Sequence, residues 1–547
     1  MDKVTGRGDR LGLDLGTTNS ACCFFNRERN AFDFLKFDSQ SMDFFPTMIA
    51  YRKDNDHIRY IGKAAERYRF SSKYDFYERF KLSMGQGAEK KNGREKSPME
   101  TARDFISEVI KKYEQKSGEQ VTGIVMTVPD IWKNEEENKI AVDHLTEIYD
   151  QLGYEADENV AFESEPVSAA VYYCREVCRG KYRGHMVVVD YGGGTLDLTL
   201  CETGDGTNIT VLRRCGDGGR DTGCAGAAFD DALTKRMIEN NGLDLKEYEE
   251  GTSRFIALRS ALETAKIAST ETTTEALKGY YELYDKISGE SYNDMPAFDL
   301  IDDRFGEFEI MASDVAETFA RVNEKPLKEA LDNIVRYCHE LDIDTKSQDH
   351  FRVLMVGGFS SLYCVESTVR EVFESMDGVK DRRFDHGLRM DARSTAIAHG
   401  AAIIASGMAE VSYQCQSDIG FYYYDVFDEE EKTAALIRRD HPVKDYREPV
   451  YFGGVLKVSS LGRSSVIRLF FDDGSGKIPV KMDESLVQLC PNTDDPDNDY
   501  RIGLSMGKHQ IPMIHIKDKY GNVRSESLNR IVEKISLRLA KKGGEQL

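Results

Sequence analysis

The sequence contains no long apolar stretch and no apolar leader. None of its 547 residues belongs to a run of about eighteen apolar residues, the length that a membrane-spanning helix requires. The N-terminal tail, residues 1–9, is charged and carries glycine, and a tail of this kind does not resemble a secretion signal. We therefore expect a cytoplasmic protein with no membrane partner.

The sequence has fewer positively charged residues than negatively charged ones. The chain has 73 lysines and arginines against 95 aspartates and glutamates, which gives a formal net charge of −22. Because nucleic acids are bound chiefly through lysine and arginine, this balance weighs against a nucleic-acid partner. The tyrosine run at 422–424 lies beside acidic residues and has no flanking basic residues, so we interpret it as strand packing.

The sequence also lacks several motifs that would indicate other chemistry. Its eleven cysteines contain no Cys-x-x-Cys pair, and their odd number and irregular spacing are typical of reduced thiols rather than of a disulfide framework. The zinc motif His-Glu-x-x-His is missing. A Walker-type phosphate loop is missing as well, because the nearest string, residues 472–477, has the wrong spacing.

Two turns rich in glycine and threonine, each beginning with an aspartate, are the most informative feature that is present. They occupy residues 14–20 (DLGTTNS) and 190–197 (DYGGGTLD), and each follows an apolar run that predicts a strand. Glycines in such turns allow main-chain N–H groups to converge on an anion. An aspartate beside a phosphate indicates a bridging cation, most simply Mg²⁺ held through water. The pair predicts a clamp around a metal-bound nucleotide.

The chain divides into regions of different texture. Strands and helices alternate from residue 10 to residue 408, which predicts an α/β domain. A polar linker at 409–418 follows, and it lacks an apolar strand. Short strands separated by turn clusters then predict an all-β, sandwich-like domain over 419–527. We expect one amphipathic helix and a tail over 528–547.

The order of five motifs resembles that of the actin-like ATPase superfamily, and within it the DnaK family of 70-kilodalton heat-shock chaperones. The resemblance implies a two-lobed ATPase domain with a duplicated ribonuclease-H-like core, slow hydrolysis of ATP with Mg²⁺, and a β-sandwich that binds substrate. It also implies an unfolded peptide or a protein client as partner, with a co-chaperone or nucleotide-exchange factor. The five motifs are residues 14–20, 162–170, 190–197, 356–360 and 394–402.

The resemblance implies a set of residues around the phosphates and the metal. Lys81 would reach the γ-phosphate and Asp190 would orient the attacking water, whereas the alternative for Lys81 is an ordinary surface lysine. The implied phosphate-binding residues are Gly16, Thr17, Thr18, Asn19, Gly192, Gly193, Gly194 and Thr195. The other implied catalytic residues are Asp14, Glu165 and Asp197, with Asp14, Glu165 and Asp190 holding the metal through water. For Glu165 and Asp197, a helix cap or a surface salt bridge is the alternative.

A second set is implied for the adenosine. Glu263, Lys266 and Thr270 recur at a spacing that places them on one face of a helix, although such a face is more often solvated. Gly357 and Gly358 would let the nucleoside approach closely. The set departs from the family at the base, because Ile267 and Ser361 stand where many members carry arginines. Weaker stacking on adenine is therefore expected.

Other departures concern the coupling between domains. The chain has Ala227 where the family has a glutamate and Glu137 where it has an arginine, the β region resembles the family only in fragments, and we expect no large helical lid. Two other functions stay open on the same core. They are a small-molecule kinase acting on a sugar or an acid, and a filament-forming ATPase.

Overall fold

Continuous apolar runs build the central strands, such as residues 186–189, which are buried throughout, and amphipathic sequence builds the helices around them. The computed structural model describes residues 8–37, 42–86, 96–130, 132, 136–155, 158–217, 224–284, 294–380, 384, 392, 395–425, 427–457, 468–474, 476–481, 499–507 and 511–528. Contacts group the chain into two compact units. The first spans Met1–Ile131, Ala141–Ile209 and Arg214–Glu410, and the second spans Trp132–Ile140, Thr210–Arg213 and Val411–Leu547.

The strands, in chain order, are numbered β1 to β25. They are β1 Asp9–Asp14, β2 Asn19–Asn26, β3 Ala31–Phe34, β4 Phe45–Pro46, β5 Met48–Arg52, β6 Asn55–Ile61, β7 Tyr74–Glu78, β8 Val121–Val128, β9 Val160–Ser164, β10 Gly184–Tyr191, β11 Leu196–Thr203, β12 Ile209–Asp217, β13 Pro296–Asp302, β14 Gly306–Met311, β15 Phe351–Val356, β16 Val411–Tyr413, β17 Asp418–Asp425, β18 Glu430–Ile437, β19 Val450–Tyr451, β20 Leu456–Lys457, β21 Arg468–Asp472, β22 Ile478–Lys481, β23 Asp499–Met506, β24 Pro512–Lys517 and β25 Val523–Ser527.

The α-helices are numbered in the same way. They are α1 Lys63–Glu66, α2 Pro98–Ser117, α3 Glu136–Leu152, α4 Glu165–Tyr172, α5 Gly226–Asn240, α6 Ser253–Ala268, α7 Thr270–Tyr284, α8 Ala312–Phe319, α9 Lys325–Glu340, α10 Tyr363–Asp377 and α11 Ala396–Ala405. Short 3₁₀ turns add Phe80–Gln86, Gly358–Ser361 and Val443–Tyr446, and π turns add Tyr173–Val177 and Ala320–Glu324. In the part of the chain that the structure describes, no helix is long and apolar enough to cross a membrane.

The first unit repeats one strand pattern in two sheets. In one sheet, β1 pairs antiparallel with β2 and parallel with β8. In the other, β10 pairs antiparallel with β11 and parallel with β15. Each antiparallel pair is joined by one of the two glycine and threonine turns, so the same hairpin presents a phosphate-type turn twice. This repetition agrees with the duplicated core that the sequence predicts.

Close packing holds the first hairpin against a helix. The small residues of α11 lie on β1, where a Cβ added at Gly12 would stand 2.2 Å from the main-chain nitrogen of Ala402. A glycine is therefore needed at this contact, because any side chain would push the helix off the sheet. Leu11 and Leu13 on either side are buried, and they fix the register that ends β1 at Asp14.

The second unit is built from β-strands. One sheet has the strand order β18-β17-β21-β22, and another has β19-β23-β24-β25 with β20 paired to β23. A single apolar core takes residues from both sheets, including Phe421 and Leu469 from the first and Leu504 and Ile514 from the second. The predicted β-sandwich is thus present over the described residues. Residues 529–547, where a helix is predicted, lie outside them.

Three residues of the linker form a short strand. Val411–Tyr413 is β16, and within the second unit the main-chain N–H of Gln414 donates to the carbonyl of Val211 at 3.1 Å. The side-chain amide of Gln416 also donates to the carbonyl of Leu212 at 3.1 Å. Main-chain pairing needs no apolar side chains, so a polar run can form a strand here.

Candidate nucleotide site

A cavity of about 460 Å³ in the first unit is lined by every predicted site residue except Asp197. The two turns meet at one end of it, and helix α6 with the 356–360 segment forms the other. Its lining residues that the sequence did not indicate include Phe44, Asp230, Glu271, Thr273, Thr274 and Leu362.

The two turns face each other closely enough to require their glycines. A Cβ added at Gly194 would lie 2.5 Å from the hydroxyl oxygen of Thr17, and one at Gly193 would lie 3.0 Å from that of Thr18. Both distances are shorter than ordinary contacts, so larger residues would separate the turns. The threonine hydroxyls of one turn therefore stand beside the main chain of the other, and this arrangement can surround an anion.

Lys81 lies inside this end of the cavity. Its Nζ is 2.6 Å from Oε1 of Glu165, and only 5% of its surface is exposed. The 3₁₀ turn Phe80–Gln86 supplies the lysine, and Glu165 begins α4, whose N-cap residue Ser164 accepts the N–H of Val167. The alternative of a surface lysine is therefore wrong, because both partners are buried.

Three carboxylates crowd the same end of the cavity. Burial raises the pKa of Asp14 to about 7, with Glu165 adding to the increase, while Lys81 and a hydrogen bond from Thr127 oppose it. Burial also raises the pKa of Asp190 well above its usual value, with Glu165, Asp197 and Asp14 adding to the increase. Charge repulsion at this density indicates a site that favours a cation.

Asp197 has a different place. It lies opposite Asp190 in the β10–β11 pair and is completely buried, but it does not line the cavity. Its carboxylate is one cause of the raised pKa of Asp190. Its predicted role at the metal or phosphate would therefore have to act through Asp190.

The donor set at this end fits Mg²⁺ held through water. Oδ2 of Asp190 is buried and has no hydrogen-bond partner within the described part of the chain, although burial of an unpaired carboxylate oxygen is costly. Across all the residues that the structure describes, there is no group of three histidine, cysteine, aspartate or glutamate side chains that could hold a metal ion directly. Oxygen donors that contact the cation through its water shell are what Mg²⁺ prefers.

The end of the cavity formed by helix α6 and residues 356–360, where the sequence predicts the nucleoside, is called the nucleoside end, and it carries paired charges. Nζ of Lys266 forms an ion pair with Asp230 and lies 5.1 Å from the centre of the Phe229 ring. Burial raises the pKa of Asp230 to about 6, and Lys266 opposes the rise. Nη2 of Arg79 lies 3.5 Å from Oε2 of Glu263. Both Glu263 and Lys266 are thus partly buried and have ion-pair partners, unlike residues of an ordinary solvated helix face.

Where the sequence predicts the adenine base, here called the base end, two hydroxyl groups are already engaged with the main chain. Thr270 donates its hydroxyl to the carbonyl of Ile267 at 2.8 Å, and Ser361 donates to that of Gly358 at 2.7 Å. Ile267 is 57% exposed. Gly357 has a φ of 81°, and a Cβ there would stand 2.5 Å from Oδ1 of Asp190. This glycine joins the base end to the phosphate end of the cavity.

Comparison with known families shows which family the chain belongs to. Residues 83–419, more than half of the chain, match the family model described as Hsp70 protein. The chain belongs to the Hsp70 family. The matched range includes the second turn, Glu165 and the helix with Glu263, and the first turn and Lys81 precede it.

Curated Hsp70 relatives agree with this assignment. A stretch of 263 residues is 28% identical to the chaperone protein DnaK of Endomicrobium trichonymphae, covering 47% of this chain and 39% of that protein. The DnaK of Methanothermobacter thermautotrophicus is 30% identical over 274 residues, with 48% and 42% covered. That of Thermosipho melanesiensis is 25% identical over 369 residues, with 66% and 55% covered.

The matches define how far the Hsp70 likeness reaches. The chain spans about two fifths of the length of the first two relatives. The resemblance to the DnaK family and the actin-like α/β fold followed by a β domain are confirmed. The roles of the individual site residues stay predictions, and the geometry above is the basis on which they are proposed.

Sequence reasoning missed three charged residues at the nucleoside end, Arg79, Asp230 and Asp231. Asp230 lies three residues after Ala227, a position that the resemblance already singles out, so this stretch could have identified it. Arg79 and Asp231 offer no such signal. Each is a charged residue in a polar stretch, and such residues usually face water.

Proposed function

We propose that this Hsp70-family chain binds ATP with Mg²⁺ in the cavity and hydrolyses it slowly to ADP and phosphate. The nucleotide state would govern the binding of an extended peptide or a protein client by the β unit. One observation carries the proposal: the buried Lys81–Glu165 pair lies between two facing phosphate-type turns that each bring an aspartate.

In the proposed reaction, each group has a distinct task. The turn glycines and threonines would bind the phosphate oxygens through main-chain N–H and hydroxyl donors. Asp14, Glu165 and Asp190 would hold Mg²⁺ through water, and the ion would neutralise charge on the β- and γ-phosphates. Asp190 would accept a hydrogen bond from the attacking water. The fixed charge of Lys81 would stabilise the charge that develops on the γ-phosphoryl oxygens as the bond to the leaving ADP breaks.

For the β unit, we propose that a client binds in an extended form. A strand added to an exposed sheet edge would bind through main-chain hydrogen bonds, with specificity supplied by side-chain pockets. Strand β25 pairs only with β24 among the described strands, and we propose its other edge as the one to which the client strand is added. The client, and a co-chaperone or exchange factor, are part of the proposal rather than of the fold.

The test is ATP turnover by the purified chain, with and without an unfolded peptide, and in a screen of sugars and small acids. We expect slow release of phosphate that peptide changes and that sugars and acids leave unchanged. Asp190→Asn should lower turnover by about 100-fold, whereas Lys278→Ala, a change of an exposed lysine, should not. Phosphate transfer to a sugar or an acid would favour a kinase, and full activity of Asp190→Asn would refute the placement of the chemistry.

A further inference from the structure

Arg79 is held in an unfavourable backbone conformation beside the cavity. Its φ is 53°, in the left-handed region that costs about 1 kcal/mol for a residue other than glycine. Its side chain is only 13% exposed. Both features oppose an arginine at this position, so its contacts indicate what it does there.

Those contacts are two carboxylates on two different helices. Nη1 of Arg79 lies 3.3 Å from Oδ1 of Asp231 on α5, and Nη2 lies 3.5 Å from Oε2 of Glu263 on α6. Among the ion pairs between described residues, Arg79 is the sole cation paired with Glu263. Asp231 also faces Arg259 at 3.6 Å. Arg79 is therefore shared between an anchoring carboxylate and one that lines the cavity.

The contact with Glu263 is an ion pair without a hydrogen bond. Nη2 of Arg79 is buried and has no hydrogen-bond partner among the described residues. It lies 3.5 Å from Oε2 of Glu263, so it attracts the carboxylate without donating a hydrogen bond to its oxygens. Such an arrangement leaves the carboxylate oxygens able to accept hydrogen bonds from a ligand. In a salt bridge that serves only the fold, the arginine would normally donate hydrogen bonds to both carboxylate oxygens.

Arg79 also begins the segment that carries Lys81. The main-chain N–H of Leu82 donates to the carbonyl of Arg79 at 3.2 Å, which starts the 3₁₀ turn. One residue thus joins the turn at the phosphate end to the helix at the nucleoside end. A ligand that contacts both Lys81 and Glu263 would meet two groups whose separation Arg79 sets.

We propose that Arg79 is a positioning residue for the ribose, which orients the carboxylate of Glu263 so that it accepts hydrogen bonds from the ribose hydroxyls. This inference rests on the proposed binding of ATP. Without Arg79, the carboxylate of Glu263 would lose its fixed position, and the ribose would lose its acceptor. The phosphate contacts would persist, because Lys81 and the two turns have their own partners.

The test compares ATP with 2′,3′-dideoxy-ATP, which lacks both ribose hydroxyls. Affinities for the two nucleotides with Mg²⁺ are measured by competition against a fluorescent nucleotide, and inorganic tripolyphosphate serves as a probe of the phosphate end. Arg79→Gln should weaken ATP about tenfold, the effect of one charge-assisted hydrogen bond. It should leave dideoxy-ATP and tripolyphosphate nearly unchanged, so that the preference for ATP falls. Arg79→Lys should keep part of the preference.

Two further variants serve as a control and as an alternative to Arg79→Gln. Arg254→Gln removes an exposed arginine from the start of the same helix α6, and it should behave like the wild type. If Arg79→Gln does not fold, Asp231→Asn removes the anchor instead, and it should lower the preference for ATP about threefold.

The outcomes separate the two proposals. A chain that binds no ATP overturns both. A wild type that prefers ATP to dideoxy-ATP, with Arg79→Gln or Asp231→Asn keeping that preference, overturns the role of Arg79 alone. Equal weakening of both nucleotides by Arg79→Gln also overturns it, because that is the result of a purely structural ion pair.

Discussion

Replacing Lys81 by methionine tests the buried ion pair on which the proposed chemistry depends. Methionine keeps an unbranched side chain of similar length and removes the charge. Lys81 and Glu165 are 5% and 7% exposed, so solvent cannot replace the lost partner. Glu165 would then stay buried beside Asp14 and Asp190 with no compensating cation from Lys81.

The size of the effect follows from the geometry. Two unit charges at the observed 2.6 Å attract by about 6 kcal/mol at an effective dielectric constant of about 20. Desolvation cancels much of this attraction when the pair forms, but removal of one partner leaves a buried charge and costs about 3–5 kcal/mol. We expect Lys81→Met to lower the free energy of unfolding of the first unit by about 3 kcal/mol.

A second substitution separates stability from activity. The double variant Lys81→Met, Glu165→Gln removes both charges, so it should recover more than half of the lost stability. Phosphate release should remain about 100-fold slower in both variants, because neither has the cation that we propose acts on the γ-phosphate.

Urea unfolding of the nucleotide-free chain, monitored by circular dichroism, measures the free energy of unfolding. Phosphate release measures the rate of hydrolysis. Lys278→Met, at an exposed lysine paired with Glu275, is the matched control and should change neither. An unchanged midpoint in Lys81→Met would refute the buried pair, and recovered hydrolysis in the double variant would refute the role of the lysine.

Two further predictions concern stability. Burial lowers the pKa of His399 to about 4, so the unfolded chain binds its proton more readily, and stability is lost as the pH falls from about 6.5 to about 4. His399→Phe should therefore remove about 1–2 kcal/mol of the loss at pH 5 in urea titrations, and an unchanged pH profile would contradict this. Gly400→Ala would place a Cβ 1.7 Å from the carbonyl of Ser168 and should cost about 3 kcal/mol. Gly279→Ala, whose Cβ meets nothing closer than 3.9 Å, should not destabilise, and equal thermal midpoints for the two variants would disprove the packing argument.

The phosphate end of the site could be predicted because its chemistry is local. A turn of glycine, threonine and aspartate after a strand is readable within a few residues, and the same requirement placed Gly193 and Gly194 against Thr17 and Thr18. The duplicated hairpins follow from the same local signal. Lys81 was identified only through family spacing, since nothing in its own sequence surroundings indicates that it is buried.

The linker shows where side-chain patterns fail. Its composition predicts no apolar strand, and the structure adds a short strand at residues 411–413 that its side-chain pattern does not indicate. Hydrogen bonds between main chains stabilise this pairing, and any residue except proline can make them. A short strand formed through such bonds leaves no periodic side-chain pattern for a sequence argument to detect.

The resemblance implies Glu263, Lys266 and Thr270 at the nucleoside end, and all three line the cavity. The ion pairs around them could not be predicted, because they join residues that are far apart in sequence. Arg79 finds Asp231 and Glu263 more than 150 residues away, and each of the three, taken in its own stretch, resembles a solvated residue. The positive φ of Arg79 is equally invisible, since glycine or asparagine is the usual residue in that conformation. An arginine kept where both its backbone and its burial are unfavourable is better explained by what it positions than by what it stabilises, because a buried ion pair contributes little net stability to a fold.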